Sequence, residues 1–311
     1  MNFYKIFLRT NKLIKMKNYG IALLALCVFN GTAQQKEETT AKNKSKTTLT
    51  LLRETNDLPA LESVTYDKKT KLLYVSIQAA KVPGDGSIAT VTLDGKIKNL
   101  KFTSGLNDPK GITIVENRLY VSDVFDLVEI DLETGQILKK YTQEKVRYFN
   151  DVTADDAGNV YVSDMHASSI YKLDTLKNLT EWIAGPELES VNGLLAVGNE
   201  MIIGGWGYFT DGQALLAPQG HLLKMDLNTK KITKITPEVL GNIDGIQVYD
   251  KASYIVSDWK EGKVFKVYND GTWEELLDTE RGAADFLILP KKKLLILPLN
   301  KQNKLAFYEI R

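Results

Sequence analysis

Four side chains at comparable places along the chain could together hold a metal ion. In "GNIDGIQV", residues 241–248, Asp244 stands directly before a glycine and a short apolar run. Asn192 stands the same way in "ESVNGLLAV", Asn150 takes the corresponding place in "YFNDVTADDAGNVYVSD", and Glu62 does so in "LESVTYD". Two carboxylates and two amide oxygens form a hard, oxygen-only donor set with two negative charges, which suits calcium or magnesium. No His or Cys joins them, which argues against a zinc site of the usual kind. A local reading competes: Asp-Gly, Asn-Gly and Asn-Asp are turn-formers. Glu62 weakens it because Glu is not one, and Lys110 and Ala284, at the two remaining equivalent positions, show that a turn there does not demand Asn or Asp.

Those residues can meet only if the chain repeats. Short β-rich runs recur as "LLYVSI", "RLYVSD", "NVYVSD", "EMIIGG", "SYIVSD" and "KLLILP", each preceded and followed by another apolar run. In most units a fourth run follows, such as "LTEWIA" or "WEELL". Four short strands per unit with turn signals between them describe propeller blades. Aligned on their first strands, the units place Glu62, Lys110, Asn150, Asn192, Asp244 and Ala284 in one column, at intervals of 48, 40, 42, 52 and 40 residues. That is the length expected of a four-stranded blade. The expected fold is therefore all-β: a six-bladed β-propeller of four-stranded antiparallel blades with almost no helix. The last unit, ending in "LAFYEIR", has three strands, and "TLTLLRET", residues 48–55, lies in the phase of a fourth. The N-terminal strand is thus predicted to join the last blade and close the ring, removing two open sheet edges. First strands line a propeller's channel, so the column converges on one mouth of it.

The 311 residues are 43% hydrophobic, enough for a real core, and 40 basic against 39 acidic side chains leave a formal charge of +1. No global field gathers nucleic acid or an anionic membrane. Lys12, Lys15 and Lys17 precede "IALLALCVF", and Gly31 and Ala33 follow at signal-peptidase spacing, so residues 1–33 read as a signal peptide. Met16 already begins a complete leader. The apolar run is too short to span a bilayer, so the mature form has no membrane span and is periplasmic or secreted. Cys27, the only cysteine, lies within the leader, and Leu26 before it departs from the small residue that lipidation would want. Residues 34–46, "QQKEETTAKNKSK", read as a disordered linker and 47–311 as the propeller domain.

The three quoted stretches around Asn150, Asn192 and Asp244 resemble the senescence marker protein/gluconolactonase family, which includes regucalcin. The similarity extends over residues 47–311, weakly outside these motifs. It implies one divalent cation in the channel, held by Glu62, Asn150, Asn192 and Asp244, with calcium first and magnesium, manganese or zinc as alternatives. It also implies hydrolysis of a lactone or related ester, the cation acting as a Lewis acid while Asp244 activates water. Lys110 either stabilises charge on the substrate or neutralises the acidic ring. The first blade carries "LESVTYD" where many members have Glu-Gly-Pro, and with two histidines in the chain a His-dyad mechanism is not expected. His221 is expected to open a third strand and face elsewhere.

Loops between second and third strands should rise around the same mouth. The longest, "WGYFTDGQALLAPQG", brings Trp206 and Tyr208. With Phe125, His166, Trp259 and "AAKVPGDGS" it would wall a pocket for a small molecule, suited to a sugar ring or an aryl group. The alternative is that Trp206, Tyr208 and Phe209 only pack the loop. Asp123, Asp164 and Asp258 of the repeated "SD" are expected to cap the next turn rather than join the site. No phosphate loop, nucleophile elbow, HExxH or dinucleotide fingerprint occurs. A second reading of the whole chain stays open: a non-catalytic propeller that binds a protein or glycan, with a structural cation.

Overall fold

The structure, a computed structural model, describes residues 46–78, 82–209 and 213–311. The leader, its Cys27, nearly all of the linker and the short stretches 79–81 and 210–212 of the two mouth loops lie outside the described residues. Six four-stranded antiparallel sheets follow one another, five built from consecutive strands. The sixth takes three strands from the C-terminus and its outermost strand, Leu49–Thr55, from the N-terminal end, paired antiparallel with Lys304–Ile310. The ring is closed as its sequence phase predicts. Among the described residues there is no α-helix, only four single 3-10 turns, and no helix is long and apolar enough to cross a membrane.

Alternation along the middle strands explains why blades stack. In Leu72–Ile77, Leu73, Val75 and Ile77 pack with Leu294, Ile296 and Phe307 of the sixth blade. Tyr74, pointing to the opposite face, packs with Ile112, Leu119 and Val121 of the second. Each strand is therefore apolar on both faces, and every junction between neighbouring blades has its own apolar cluster.

Innermost strands run Leu61–Asp67, Pro109–Val115, Phe149–Ala154, Val191–Val197, Ile243–Asp250 and Leu287–Leu289. In each of the first five, pairing with the second strand slips at one place: between Leu61 and Val64, Pro109 and Ile112, Phe149 and Val152, Val191 and Leu194, Ile243 and Ile246. Those bulges contain Glu62, Lys110, Asn150, Asn192 and Asp244. A bulge re-aims the side chains it carries, here at the mouth end of the channel.

Candidate active site

The glycine after the column residue answers to packing rather than to a turn. Gly193 and Gly245 lie inside strands, and a Cβ on Gly193 would stand 2.0 Å from the Asp244 carbonyl oxygen. One on Gly111 would stand 2.6 Å from the Asp151 Cα, and one on Gly245 2.9 Å from the Asp285 Cα. Neighbouring inner strands approach so closely that only glycine fits. For Asn192-Gly193 and Asp244-Gly245 the turn-former reading is thereby corrected.

Serines of the repeated "VS" hold the bulges. Ser76 Oγ accepts the Ser63 N–H at 2.9 Å, Ser163 Oγ that of Asp151 at 2.8 Å, and Ser257 Oγ that of Gly245 at 2.8 Å. Ser257 Oγ also donates to the carbonyl of Ala284 at 2.9 Å, and Ser122 Oγ to that of Asn150, so each ties its blade to the next blade's column residue. The aspartates that follow fix the loops leading into the ring. Asp123 accepts the N–H groups of Asn107 and Asp108 at 2.7 Å, just before Lys110. Asp164 accepts those of Arg147 at 2.7 Å and Tyr148 at 3.0 Å, just before Asn150. Asp258 acts on the turn after it, through Lys260 and Glu261, and Asp164 adds Ala167. Asp123 reaches backward instead, a correction to the expected cap.

Glu62, Lys110, Asn150, Asn192 and Asp244 all line one cavity of about 360 Å³ at the mouth, with His166, Trp206 and Trp259 in its wall. Ala284 does not line it. Phe125 and Tyr208, both more than half exposed, stand outside it, so the structure does not bring them to the column. His221 precedes the strand Leu222–Asp226 and pairs through Nδ1 with Glu189 at 2.8 Å, away from the cavity as expected. Trp206 serves both readings offered for its loop: its Nε1 donates to the Ala214 carbonyl at 2.8 Å, packing the loop, while its ring faces the cavity.

The ring's electrostatics follow from burial. Glu62, Asn150, Asn192, Asp244 and Lys110 are all under 8% exposed. Burial, then Glu62, Asp285 and Asp151, raise the Asp244 carboxyl well above its ordinary range, against the pull of Lys110. Burial likewise raises Glu62, with Lys110 opposing and Asp108 adding to the rise. Burial acts to lower Lys110, but Tyr148, Glu62 and Asp108 outweigh it and the ammonium is held firmly protonated. Its Nζ lies 3.4 Å from Asp108 Oδ2 and 5.2 Å from the Tyr148 ring centre. Asn300 Nδ2 lies 2.8 Å from Glu62 Oε2 and 2.8 Å from the Leu61 carbonyl, orienting the carboxylate.

These residues fit a hard divalent cation. Both polar atoms of the Asn192 side chain are buried and lack any hydrogen-bond partner. An orphaned buried amide costs roughly 1–3 kcal/mol, which a cation on its oxygen would recover. Among the described residues no three His, Cys, Asp or Glu side chains gather as a metal site, so a cation here depends on the two asparagines and on oxygen donors alone.

Several residues at the mouth lie beyond the column. Asp108, Gln78, Tyr148, Asn300 and Lys301 line the cavity from loops whose reach no spacing reveals. In the first, third and sixth blades the residue after the column position is polar: Ser63, Asp151 and Asp285 form a second layer. Ser63 Oγ donates to Asp285 Oδ2, and Asp151 Oδ2 accepts the Leu194 N–H at 2.6 Å. Burial raises Asp285 to about 7, with the Ser63 hydrogen bond opposing and Glu62 adding to the rise. That layer was legible as the second residue of "ND" and "AD".

No protein-family model matches the chain, and no curated protein matches it in sequence. Solved structures do match. A gluconolactonase from Xanthomonas campestris superposes with a TM-score of 0.63 over 83% of this chain and 88% of its own, at 14% identity. Virginiamycin B lyase from Staphylococcus aureus gives 0.59 over 85% and 99%, also at 14% identity. A streptogramin B lyase gives 0.57 over 86% and 98%, at 11% identity. The likeness is one of fold. A gluconolactonase stands among its fold neighbours, as the resemblance read from the column implies.

Proposed function

We propose that this protein is an exported, divalent-cation-dependent hydrolase of a lactone or related ester. The observation that carries the reading is the convergence of Glu62, Asn150, Asn192 and Asp244 on one cavity, with the Asn192 amide left without a partner. Those four residues would hold the cation, calcium by the hardness and number of the donors. When bound, it supplies Lewis-acid polarisation of a carbonyl oxygen.

The chain's own groups account for the rest. Lys110, held as an ammonium, offers a fixed positive charge where negative charge develops on that oxygen. Asp244 takes a proton from the attacking water, whose oxygen bonds to the carbonyl carbon. The ring C–O bond breaks, the leaving oxygen receives the proton, and a hydroxy acid departs. Asp108 is a third carboxylate at the cavity, outside the cation's donor set, with its side chain one-third exposed. Asp108→Asn separates the two candidates for the base: turnover collapses if Asp108 takes the proton and survives if Asp244 does, with cation affinity measured beside it because Asp108 also acts on Glu62 and Lys110.

The test is turnover of a lactone panel by the calcium-loaded protein, with and without chelator, read as proton release and product mass. Hydrolysis adds one water to the product, whereas elimination adds none. Turnover that vanishes with chelator and returns with calcium supports the reading; turnover indifferent to chelator, or none at all, defeats it. N-terminal sequencing of the exported protein, expected to begin near Gln34, tests the leader.

A further inference from the structure

The cavity above the ring has two unlike halves. On the side of the sixth, first and second blades it is walled by Gln78, Asp108, Lys110, Asn300 and Lys301. On the side of the third to fifth it is walled by Met165, Trp206, Ala214, Leu215 and Trp259, with Tyr148 and His166 at its third-blade end. Six apolar clusters account for the junctions between blades. A seventh, built on Met165, Trp206 and Ala217 with Ala214 and Trp259 against it, belongs to no junction and sits at the mouth.

The tryptophan part of this wall offers little to a hydroxyl, unlike its third-blade end, where Tyr148 and His166 stack with ring centres 4.6 Å apart. The Trp206 Nε1–H is already given to the Ala214 carbonyl at 2.8 Å, so the indole shows the cavity an apolar surface. Trp259 stands beside it with ring centres 6.1 Å apart, and Leu215 is half exposed at the rim. Lys260 Nζ donates to the Ala217 carbonyl at 2.8 Å and fixes the end of the loop. On the polar side several groups are matched to one another, Asp108 with Lys110 at 3.4 Å and Asn300 with Gln78 at 3.2 Å and with Glu62, while Lys301 Nζ lies 5.2 Å from the Trp259 ring centre. A polyhydroxylated ring needs spare partners on several edges, and a site that lacks them gains little from such hydroxyls. An apolar substituent needs only the wall.

We infer that the preferred substrate is a lactone carrying an alkyl or aryl substituent, its carbonyl over the ring and its hydrocarbon on Trp206, Leu215 and Trp259, rather than a sugar lactone. This rests on the hydrolase reading above. At about 360 Å³ the cavity lies within the usual range of small-molecule sites, roughly 300–1,000 Å³, and holds a substituted ring.

The calcium-loaded protein is assayed on δ-decalactone, δ-valerolactone and δ-gluconolactone. In parallel, binding of an alkyl-substituted and an unsubstituted cyclohexanone is followed by tryptophan fluorescence. The expected result is a kcat/KM roughly tenfold or more higher for δ-decalactone than for either other lactone. The alkyl ketone binds more tightly than the bare one by a similar factor, and Leu215→Asn, at an exposed position that the fold tolerates, cuts both ratios several-fold. Equal rates, or a preference for gluconolactone, overturn the inference. If no lactone is turned over yet the alkyl ketone still binds preferentially, the hydrolase reading falls and the apolar subsite stands. If no lactone is turned over and neither ketone is preferred, both fall.

Discussion

Asn192 spends an amide in a buried place where nothing hydrogen-bonds it, and the fold gains nothing from that. Asn192→Leu, nearly the same size, is expected to leave the cation-free protein as stable or up to about 1 kcal/mol more stable, and to weaken calcium binding at least about tenfold. Chemical denaturation with chelator and calorimetry check the two halves. Asp285 makes a second prediction. Its folded pKa, about 7, lies above the ordinary 3.8, so the stability it contributes is present below the ordinary value and is lost as pH rises through about 7. Asp151 and Asp244 are raised too and act in the same direction. In chelator, the protein should lose stability between about pH 4 and pH 8, by up to about 4 kcal/mol from Asp285 alone. Asp285→Asn should flatten that slope, as read from denaturant midpoints across the range. A cation-free protein that gains stability over the same range would contradict the burial argument.

At the scale of the element, the site is made by bulges, and the bulges are held by serines. Ser257→Ala leaves the Gly245 N–H without its acceptor and the Ala284 carbonyl without its donor. A loss of about 1–3 kcal/mol is expected, with weaker calcium binding, because Asp244 shares that bulge; the same change at the exposed Ser104 should move neither. The column was legible because one inner strand per blade keeps its head at the mouth, so a regular interval is a geometric statement. The bulge was not legible, since an extra residue in one strand changes no hydrophobic alternation. For the same reason the serines passed unremarked beside the more conspicuous aspartates. Phe125 and Tyr208 failed to reach the cavity because chain position says that a residue lies in a mouth loop, not which way the loop folds. Trp206, anchored through its Nε1, turns inward, whereas Tyr208, two residues on, does not.

For the whole molecule, ring closure joins the two ends of the propeller through a single outer strand, and period-2 alternation with regular spacing was enough to read it. Removing residues up to Thr55 bares the strand Lys304–Ile310 as an open edge. That truncated chain is expected to be markedly less stable and to associate, as sedimentation would show, whereas removal of residues 1–45 should have neither effect. Closure also fixes the six inner strand heads around one axis, without which the donors of four separate blades could not share a cation. The most direct test is therefore calorimetric titration of calcium, then magnesium, into the metal-stripped protein beside Glu62→Gln and Asp244→Asn. One site in the wild type, lost or severely weakened in both variants, is the predicted result. No binding in the wild type, or binding that both variants keep unchanged, would contradict it.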